Sequence, residues 1–248
     1  MRRGRRAVKG IILSAGSGSR LLPLTRTMPK CLVEVGDRAI LDHQLDALAG
    51  AGIGEAVVVV GYRGEQVREH LERHPAPLPV SIVPNPFWAV SSSIGSVWAA
   101  RDHLDSPFCL MNGDTVFAAP IVAGAVAAAP SGVSLLVEPI TAPELDDMLV
   151  IVEGDRVRAV AKTLPSDRAH HRSLGVVLST GDECAYRAAL DAVISAPGGI
   201  NAYHHDIVAR LATTVGVGAI VDRHGGWQEI DRPEDIDRWT HTPPPDAL

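Results

Sequence analysis

Between Lys9 and Lys30 the chain reads K-G-I-I-L-S-A-G-S-G-S-R-L-L-P-L-T-R-T-M-P-K, its densest collection of residues suited to chemistry. An apolar run ending at Leu13 and Ser14 stops at Ala15-Gly16-Ser17-Gly18-Ser19, the pattern of a buried strand feeding a glycine-rich loop. Glycines let main-chain N–H groups approach an anion closely, and such a nest binds phosphate. Arg20 and Lys30 add fixed positive charge to the same loop, and a backbone cradle with two cations suits a triphosphate. A dinucleotide-binding loop does not fit, because its third glycine would fall at Leu21. A P-loop does not fit either, because no Gly-Lys pair stands here.

Asp114 follows the apolar residues 108–111 and the pair Asn112-Gly113. Ligands of open α/β sheets bind at the carboxyl ends of strands, so a carboxylate there faces the crevice. Mg²⁺ takes one or two protein carboxylates and completes its shell from phosphates and water. Beside a phosphate loop, Asp114 therefore reads as a metal ligand rather than as an ordinary turn residue. Lys162, in V-A-K-T-L-P, ends an alternating apolar segment and can project into the crevice as a phosphate donor, against the default of a solvated lysine. Asp231, in G-G-W-Q-E-I-D-R-P-E-D, has a structural role open to it, since Glu234 three residues on would complete a capping box. The pairs His170-His171 and His204-His205 are expected at the surface, because adjacent histidines point apart and no third ligand is suitably spaced.

The elements that must position these residues alternate in type. Residues 40–51 place Leu41, Leu45 and Leu48 on one helical face closed by Gly52. Residues 56–60 are a continuous branched run, as in a parallel strand covered on both faces. Residues 31–35 read as a short extended segment, 64–73 as a charged surface helix, 80–83 as a strand, and Ser91 or Ser92 as the cap of a helix through Ala100. Such alternation predicts βαβ units in a single doubly wound, mostly parallel sheet flanked by helices. Further on, residues 148–152 and 157–162 predict a small β-hairpin across Gly154-Asp155. Residues 174–178 read as a strand, and 183–194 and 204–211 as helices.

Composition sets the outer limits. The 248 residues, 46% hydrophobic, suffice for one large α/β domain. A net charge of −6 argues against nucleic acid as a partner. No apolar run reaches the length of a membrane helix, and no signal-peptide pattern precedes the first strand. Cys31, Cys109 and Cys184 are odd in number and far apart, which fits reduced thiols in the cytoplasm. Arg2, Arg3, Arg5 and Arg6 predict a basic tail over residues 1–8, and the proline-rich end a flexible tail over 241–248.

The first loop resembles the motif G-x-G-[ST]-R-[LM]-x-P-L-T followed by P-K of the nucleotidyltransferases that activate sugar 1-phosphates and phosphocholine. Gly16, Gly18, Ser19, Arg20, Leu21, Pro23, Leu24, Thr25, Pro29 and Lys30 match it. The end of the chain is similar to that family's W-x-E-[IV]-D-x-P-x-D-[LI], through Trp227, Glu229, Ile230, Asp231, Pro233, Asp235 and Ile236. Asn85-Pro86-Phe87-Trp88 and Ser91 to Ser96 resemble a segment of the phosphocholine-type cytidylyltransferases, with serines where asparagines are usual. N-G-D at Asp114, D-D-M at Asp146 to Met148 and S-L-G at Ser173 to Gly175 extend the match over nearly the whole chain.

The resemblance implies a GT-A-like fold over residues 9–240, with a nucleotide-binding half (9–118) and an acceptor-binding half (119–240) that carries the hairpin. It implies CMP transfer from CTP to a small phosphate- or phosphonate-bearing acceptor, with Mg²⁺ held by Asp114 and Asp231. Arg20, Lys30 and Lys162 would be catalytic, and Leu13, Ala15, Gly16, Ser17, Gly18, Ser19, Ser91, Ser96 and Asn112 would bind nucleotide. Asp147, Lys162, Arg172 and Ser173 would bind the acceptor. Arg172 stands where a glutamate is usual, which predicts an acceptor whose remainder is neutral or anionic. A homodimer is compatible with this reading. Two alternatives stay open: a sugar-1-phosphate nucleotidyltransferase using UTP, dTTP or GTP, and a non-catalytic nucleotide-sensing module.

Overall fold

The computed structural model describes residues 7–241; the arginine-rich tip at 1–6 and residues 242–248 lie outside the described residues, and most of both tail expectations falls there. The chain begins with β1 (Lys9–Ser14), passes through short 3-10 turns, and forms a two-stranded ribbon of β2 (Glu34–Val35) and β3 (Arg38–Ala39). One of those turns, Lys30–Leu32, takes up most of the segment expected to be extended. Then come α1 (Ile40–Gly50), β4 (Ala56–Val60), α2 (Gly64–Arg73), β5 (Val80–Pro84), α3 (Ser93–Ala99) and β6 (Phe108–Asn112). The rest comprises β7 (Thr115–Phe117), α4 (Ala119–Ala128), β8 (Val133–Pro139), β9 (Leu149–Glu153), β10 (Arg156–Ala161) and β11 (His171–Ser179). The last elements are α5 (Glu183–Ile194), α6 (His204–Ala212), β12 (Val217–Val221), β13 (Trp227–Glu229) and α7 (Pro233–His241).

The main sheet has nine strands in the order β5-β4-β1-β6-β11-β8-β12-β10-β9. Side chains alternate across it, as the two-residue strand period demands. Ile11, Val57, Val59, Leu110 and Val177 face a core built with α3, α5 and α6. Ile12, Val58, Val60, Met111, Val176 and Leu178 face a second core built with α1, α2 and α4. Two apolar faces explain why β4 is buried at every position. The expected α/β class therefore holds.

Two expectations need correction. The sheet is parallel only among β5, β4, β1 and β6 and between β8 and β12; its other ladders are antiparallel, so it is mixed rather than mostly parallel. The hairpin of β9 and β10 turns at Gly154-Asp155 as expected, with Gly154 at φ 62°, but it is no separate subdomain. β10 pairs with β12 and β9 with β11, closing a ring of five strands.

The ring closes because β11 changes partners along one edge. Its residues 176–179 pair with β6, whereas His171 and Arg172 pair with β9. Between them the register with β8 shifts, and Gly175 adopts φ 72°. A Cβ there would meet Asn112 Nδ2 at 2.5 Å. Only glycine allows both the left-handed backbone and this close approach. The bend opens the sheet beside β6 and places Ser173 at the resulting crevice.

Gly175→Ala is expected to cost about 2–5 kcal/mol, the sum of a left-handed alanine and an overpacked contact. Urea unfolding of native and variant protein checks it; an unchanged midpoint would show that the bend tolerates a side chain.

Candidate active site

The carboxyl end of β6 delivers Asn112, Gly113 and Asp114 to the crevice. A Cβ on Gly113 would come within 2.3 Å of Leu13 O, so the loop lies flush against the end of β1. Beneath it the fully buried Gln44 donates to Asn112 O at 2.6 Å and Thr115 O at 2.9 Å. The β7–β13 ribbon then sets Glu229 opposite Thr115, and the Ile230 N–H donates to Asp114 O at 2.8 Å. Two segments more than a hundred residues apart are thereby stitched together. Carboxylate oxygens of Asp114, Glu229 and Asp231 all lie within 4.8 Å of one another.

Cations counter this crowding. Lys30 Nζ donates to Asp114 Oδ2 at 2.9 Å and also to Asp231 Oδ1, while Arg20 Nη2 is 2.9 Å from Asp231 Oδ2. Burial opposes the charge of Lys30, yet Asp114 and Asp231 outweigh it and raise its pKa above the usual 10.5. Burial likewise opposes ionisation of Asp231, but Lys30 and Arg20 hold it below the ordinary carboxylate value. Lys30 and Arg20 act on Glu229 too, but less than the effects that oppose them. Although the residue keeps surface exposure, its carboxylate end is enclosed, and enclosure together with the charges of Asp114 and Asp231 pushes it up to about 8. Asp114 Oδ1 is buried without a partner among the described residues. Three clustered carboxylates, one with an unpartnered buried oxygen, fit a hard divalent cation such as Mg²⁺.

The capping box expected of Asp231 and Glu234 does not form. Instead Asp235 Oδ2 accepts the N–H groups of Asp231 at 2.9 Å and Arg232 at 2.8 Å. The start of α7 is thus held by Asp235, and the Asp231 carboxylate stays free for the cluster. Glu229, quoted among the sequence matches, was not read as part of the cluster; its place depends on the β13 register.

The cluster sits in a cleft of about 1050 Å³ whose lining includes Leu13, Ala15, Gly16, Arg20, Asn112 and Asp114. Ser91 and Ser96 also line it. Ser17, Gly18, Ser19 and Lys30 are not part of that wall; Lys30 lies behind it, reaching Asp114 and Asp231. Gly18, at φ 65°, serves Lys30 instead: a Cβ there would stand 2.8 Å from Lys30 Cβ, and Gly18 O accepts the Thr25 hydroxyl at 2.7 Å. The serines do not cap α3 with their side chains. Ser96 Oγ accepts from Asn85 Nδ2 at 3.2 Å, while Ser91 Oγ is buried without a partner among the described residues.

On the opposite wall stand Asp147, Lys162, Arg172 and Ser173. Arg172 is not the free fork its position suggested. Its guanidinium donates to Glu138 Oε1 at 2.7 Å and Asp147 Oδ1 at 3.1 Å, and stacks 4.8 Å over the Trp227 ring. Trp227 Nε1 donates to the other Glu138 oxygen at 2.7 Å. With its charge matched, Arg172 gives no ground for excluding a cationic acceptor, contrary to the expectation from its position. Asp147 is similarly engaged, its Oδ2 accepting the Glu144 N–H at 2.7 Å. Lys162 Nζ lies 3.7 Å from Asp146 and 5.3 Å from the Tyr203 ring centre, at the cleft as expected. Asp146 also pairs with Arg20 at 3.0 Å, linking the two walls.

His204 and His205 overturn the surface expectation: they are only 2% and 5% exposed and line the cleft. They begin α6, whose first turn is wedged between Ser93 of α3 and Ser173 of β11. Burial lowers His204 to about 4; burial, His204 and Lys162 together hold His205 well below 6.5. His170 is exposed, as expected, and His171 is half-buried.

Both buried histidines are neutral in the folded protein, whereas unfolded ones titrate near 6.5. Below that pH the unfolded chain binds more protons, so stability falls as pH drops toward 4. Replacing His204 by Phe is expected to make this fall shallower by about 1.4 kcal/mol per pH unit. Urea unfolding of both proteins between about pH 6.5 and pH 4.5 measures the difference, and equal slopes would contradict it.

Several known proteins are similar to this chain. The CMP-5'-(3-aminopropyl)phosphonate synthase of Streptomyces rubellomurinus is 42% identical over 123 residues, covering 50% of this chain and 19% of that protein. The mannose-1-phosphate guanyltransferase of Saccharomyces cerevisiae is 39% identical over 112 residues, 44% of this chain and 31% of that one. The chain thus spans less than a third of the length of these curated relatives. The CTP:phosphocholine cytidylyltransferase of Streptococcus pneumoniae superposes with a TM-score of 0.76 over 94% of this chain and 98% of that one; at 22% identity this shows a shared fold. The family model of the MobA-like NTP transferase domain matches residues 10–177, more than half of the chain, and the chain belongs to that family of nucleotidyltransferases.

Proposed function

We propose that this chain transfers CMP from CTP to a small phosphate- or phosphonate-bearing acceptor, releasing pyrophosphate, with Mg²⁺ held by Asp114 and Asp231 beside Glu229. The observation that carries this reading is the carboxylate cluster facing Arg20 and Lys30 at one end of a cleft large enough for nucleotide and acceptor together. Cytidylyl transfer in particular is supported by the similarity to the CMP-phosphonate synthase and by the segment from Asn85 to Ser96. A reaction that consumes CTP fits a cytoplasmic enzyme.

The chemistry asks little of the protein beyond placement and charge. An oxygen of the acceptor attacks the α-phosphorus of CTP, and the bond to the bridging oxygen of pyrophosphate breaks with its electron pair leaving on pyrophosphate. A phosphate monoester has its second pKa at about 6, so the nucleophile is already largely dianionic at neutral pH and needs no general base. Bound metal would draw phosphate oxygens together and offset their charge. In this chain, Ala15 and Gly16 bring main chain to the nucleotide, while Arg20 and Lys30 neutralise phosphate charge. Lys162 does the same for the acceptor, and Asp147 and Arg172 hold the wall beside Ser173.

The resemblance to mannose-1-phosphate guanyltransferases favours a second reading, GTP with a sugar 1-phosphate. A matrix of CTP, UTP, dTTP, ATP and GTP against phosphocholine, alkylphosphonates, mannose 1-phosphate and glucose 1-phosphate, assayed by pyrophosphate release, separates the two. Turnover confined to GTP or UTP with a sugar phosphate would replace the cytidylyl reading.

Asp231→Asn is expected to lower turnover at least about 100-fold. The melting temperature should change little, because Asp235 holds the helix start. Asp114→Asn should lose turnover as well, and retained activity in either variant would remove that residue from the metal site. Lys162→Ala should likewise reduce turnover with little effect on unfolding, since an exposed ion pair contributes about 0–1 kcal/mol. Lys162→Arg should not fully restore it, because a planar fork presents its donors differently from a compact ammonium.

A further inference from the structure

The buried histidines leave an unusual pair of groups on the acceptor wall. Ser93 Oγ accepts the main-chain N–H of His204 at 2.8 Å and lies 3.3 Å from His204 Nδ1. With the single Ser93 proton assigned to Nδ1, the ring proton of this neutral histidine stands on Nε2. His204 Nε2 is buried and has no partner among the described residues. Ser173 is assigned in the same way. Its Oγ accepts the Gly175 N–H at 3.0 Å and lies 2.9 Å from His205 Nε2; with its proton assigned to His205, one lone pair is left over. The two imidazole rings are 3.9 Å apart, and both residues line the cleft with Ser173. The wall thus carries one unpaired donor, on the ring beside His205, and one spare acceptor, on the hydroxyl bonded to His205.

We propose that His204 Nε2–H and Ser173 Oγ together recognise a hydroxyl group on the non-reacting end of the acceptor substrate. This rests on the acceptor reading above and narrows it. A hydroxyl accepts from His204 and donates to Ser173 at once. An ammonium can donate to Ser173 but leaves the histidine donor unpaired, and a carboxylate does the reverse. A plain alkyl group satisfies neither, and buried polar groups left unpaired are what make a site reject an analogue lacking the matching group. Side-chain adjustment on ligand entry, common at binding surfaces, is needed to bring Nε2 into contact. The pair sits next to Lys162, whose charge bears on His205, so a phosphonate held by that lysine presents its tail to this wall.

The test is calorimetric, so that it does not depend on turnover. With Mg²⁺ and a non-hydrolysable CTP analogue present, 2-hydroxyethylphosphonate, 2-aminoethylphosphonate and ethylphosphonate are titrated into the native protein, His204→Phe and His204→Gln. Native protein is expected to bind the hydroxyl compound about tenfold more tightly than the ethyl compound. His204→Phe should abolish that ratio with the Kd of the CTP analogue unchanged, and His204→Gln, which keeps a donor, should retain part of it. Equal binding of the three compounds by native protein, tighter binding of the amino compound, or an undiminished ratio in His204→Phe would overturn the proposal. If His204→Phe does not fold, His204→Met makes the same comparison. Pyrophosphate release by native protein is assayed in parallel. Turnover of no nucleotide–acceptor pair would sink the catalytic reading, while the binding ratios still decide the role of His204.

Discussion

Three carboxylates brought within 4.8 Å repel one another, and the active half of this protein is arranged around supplying positive charge to them. Lys30 reaches between Asp114 and Asp231, and Arg20 closes the outer side of Asp231. The rest of the local structure keeps this arrangement in place. Gly18 leaves room for the lysine stem, Gln44 props the loop that carries Asp114, and the β7–β13 ribbon delivers Glu229 and Asp231. Neutralisation is uneven, which is why Asp231 is held ionised while Glu229 is pushed toward its protonated form. Such an imbalance between adjacent carboxylates is what a bound divalent cation would relieve.

The same economy of charge governs the opposite wall. Arg172 is neutralised by Glu138 and Asp147, Trp227 both stacks on the guanidinium and donates to Glu138, and Asp146 bridges toward Arg20. These pairs make a rigid polar panel rather than a set of open ligands. The five-stranded ring behind it supplies the stiffness, since β9 and β11 share the backbone ladder at His171 and Arg172. The bend at Gly175 serves two purposes there: it redirects β11 between its partners and exposes Ser173 to the cleft.

Much of this was legible from residues alone. The loop from Ala15 to Arg20, Asp114 at a strand end, Lys162 at the hairpin's exit and the alternation of elements are all local signals, carried by residues within a few positions of one another. Most helices and strands of the first half formed where their apolar periodicity placed them, because β4 and α1 each bury a face defined by their own sequence. The two-residue turn at Gly154 is local in the same sense. Family membership followed from such signals and from the order in which they occur.

What required the tertiary structure was everything set by partners distant in the chain. Asp235 rather than Glu234 holds the start of α7, because helix geometry and the ribbon from β13 decide which carboxylate lies under the free N–H groups. Arg172 looked like an open cation until Glu138, Asp147 and Trp227 were found around it. Histidines 204 and 205 looked like surface residues because adjacent side chains on a helix diverge. Both are buried because α3 and β11 close on the first turn of α6 from two sides. The sequence by itself determined most elements, the glycine-rich loop and two of the three clustered carboxylates, since each depends on short-range pattern. Only the fold decided which charges are matched and which polar atoms remain unpaired, because burial and pairing are properties of chain segments that meet in space.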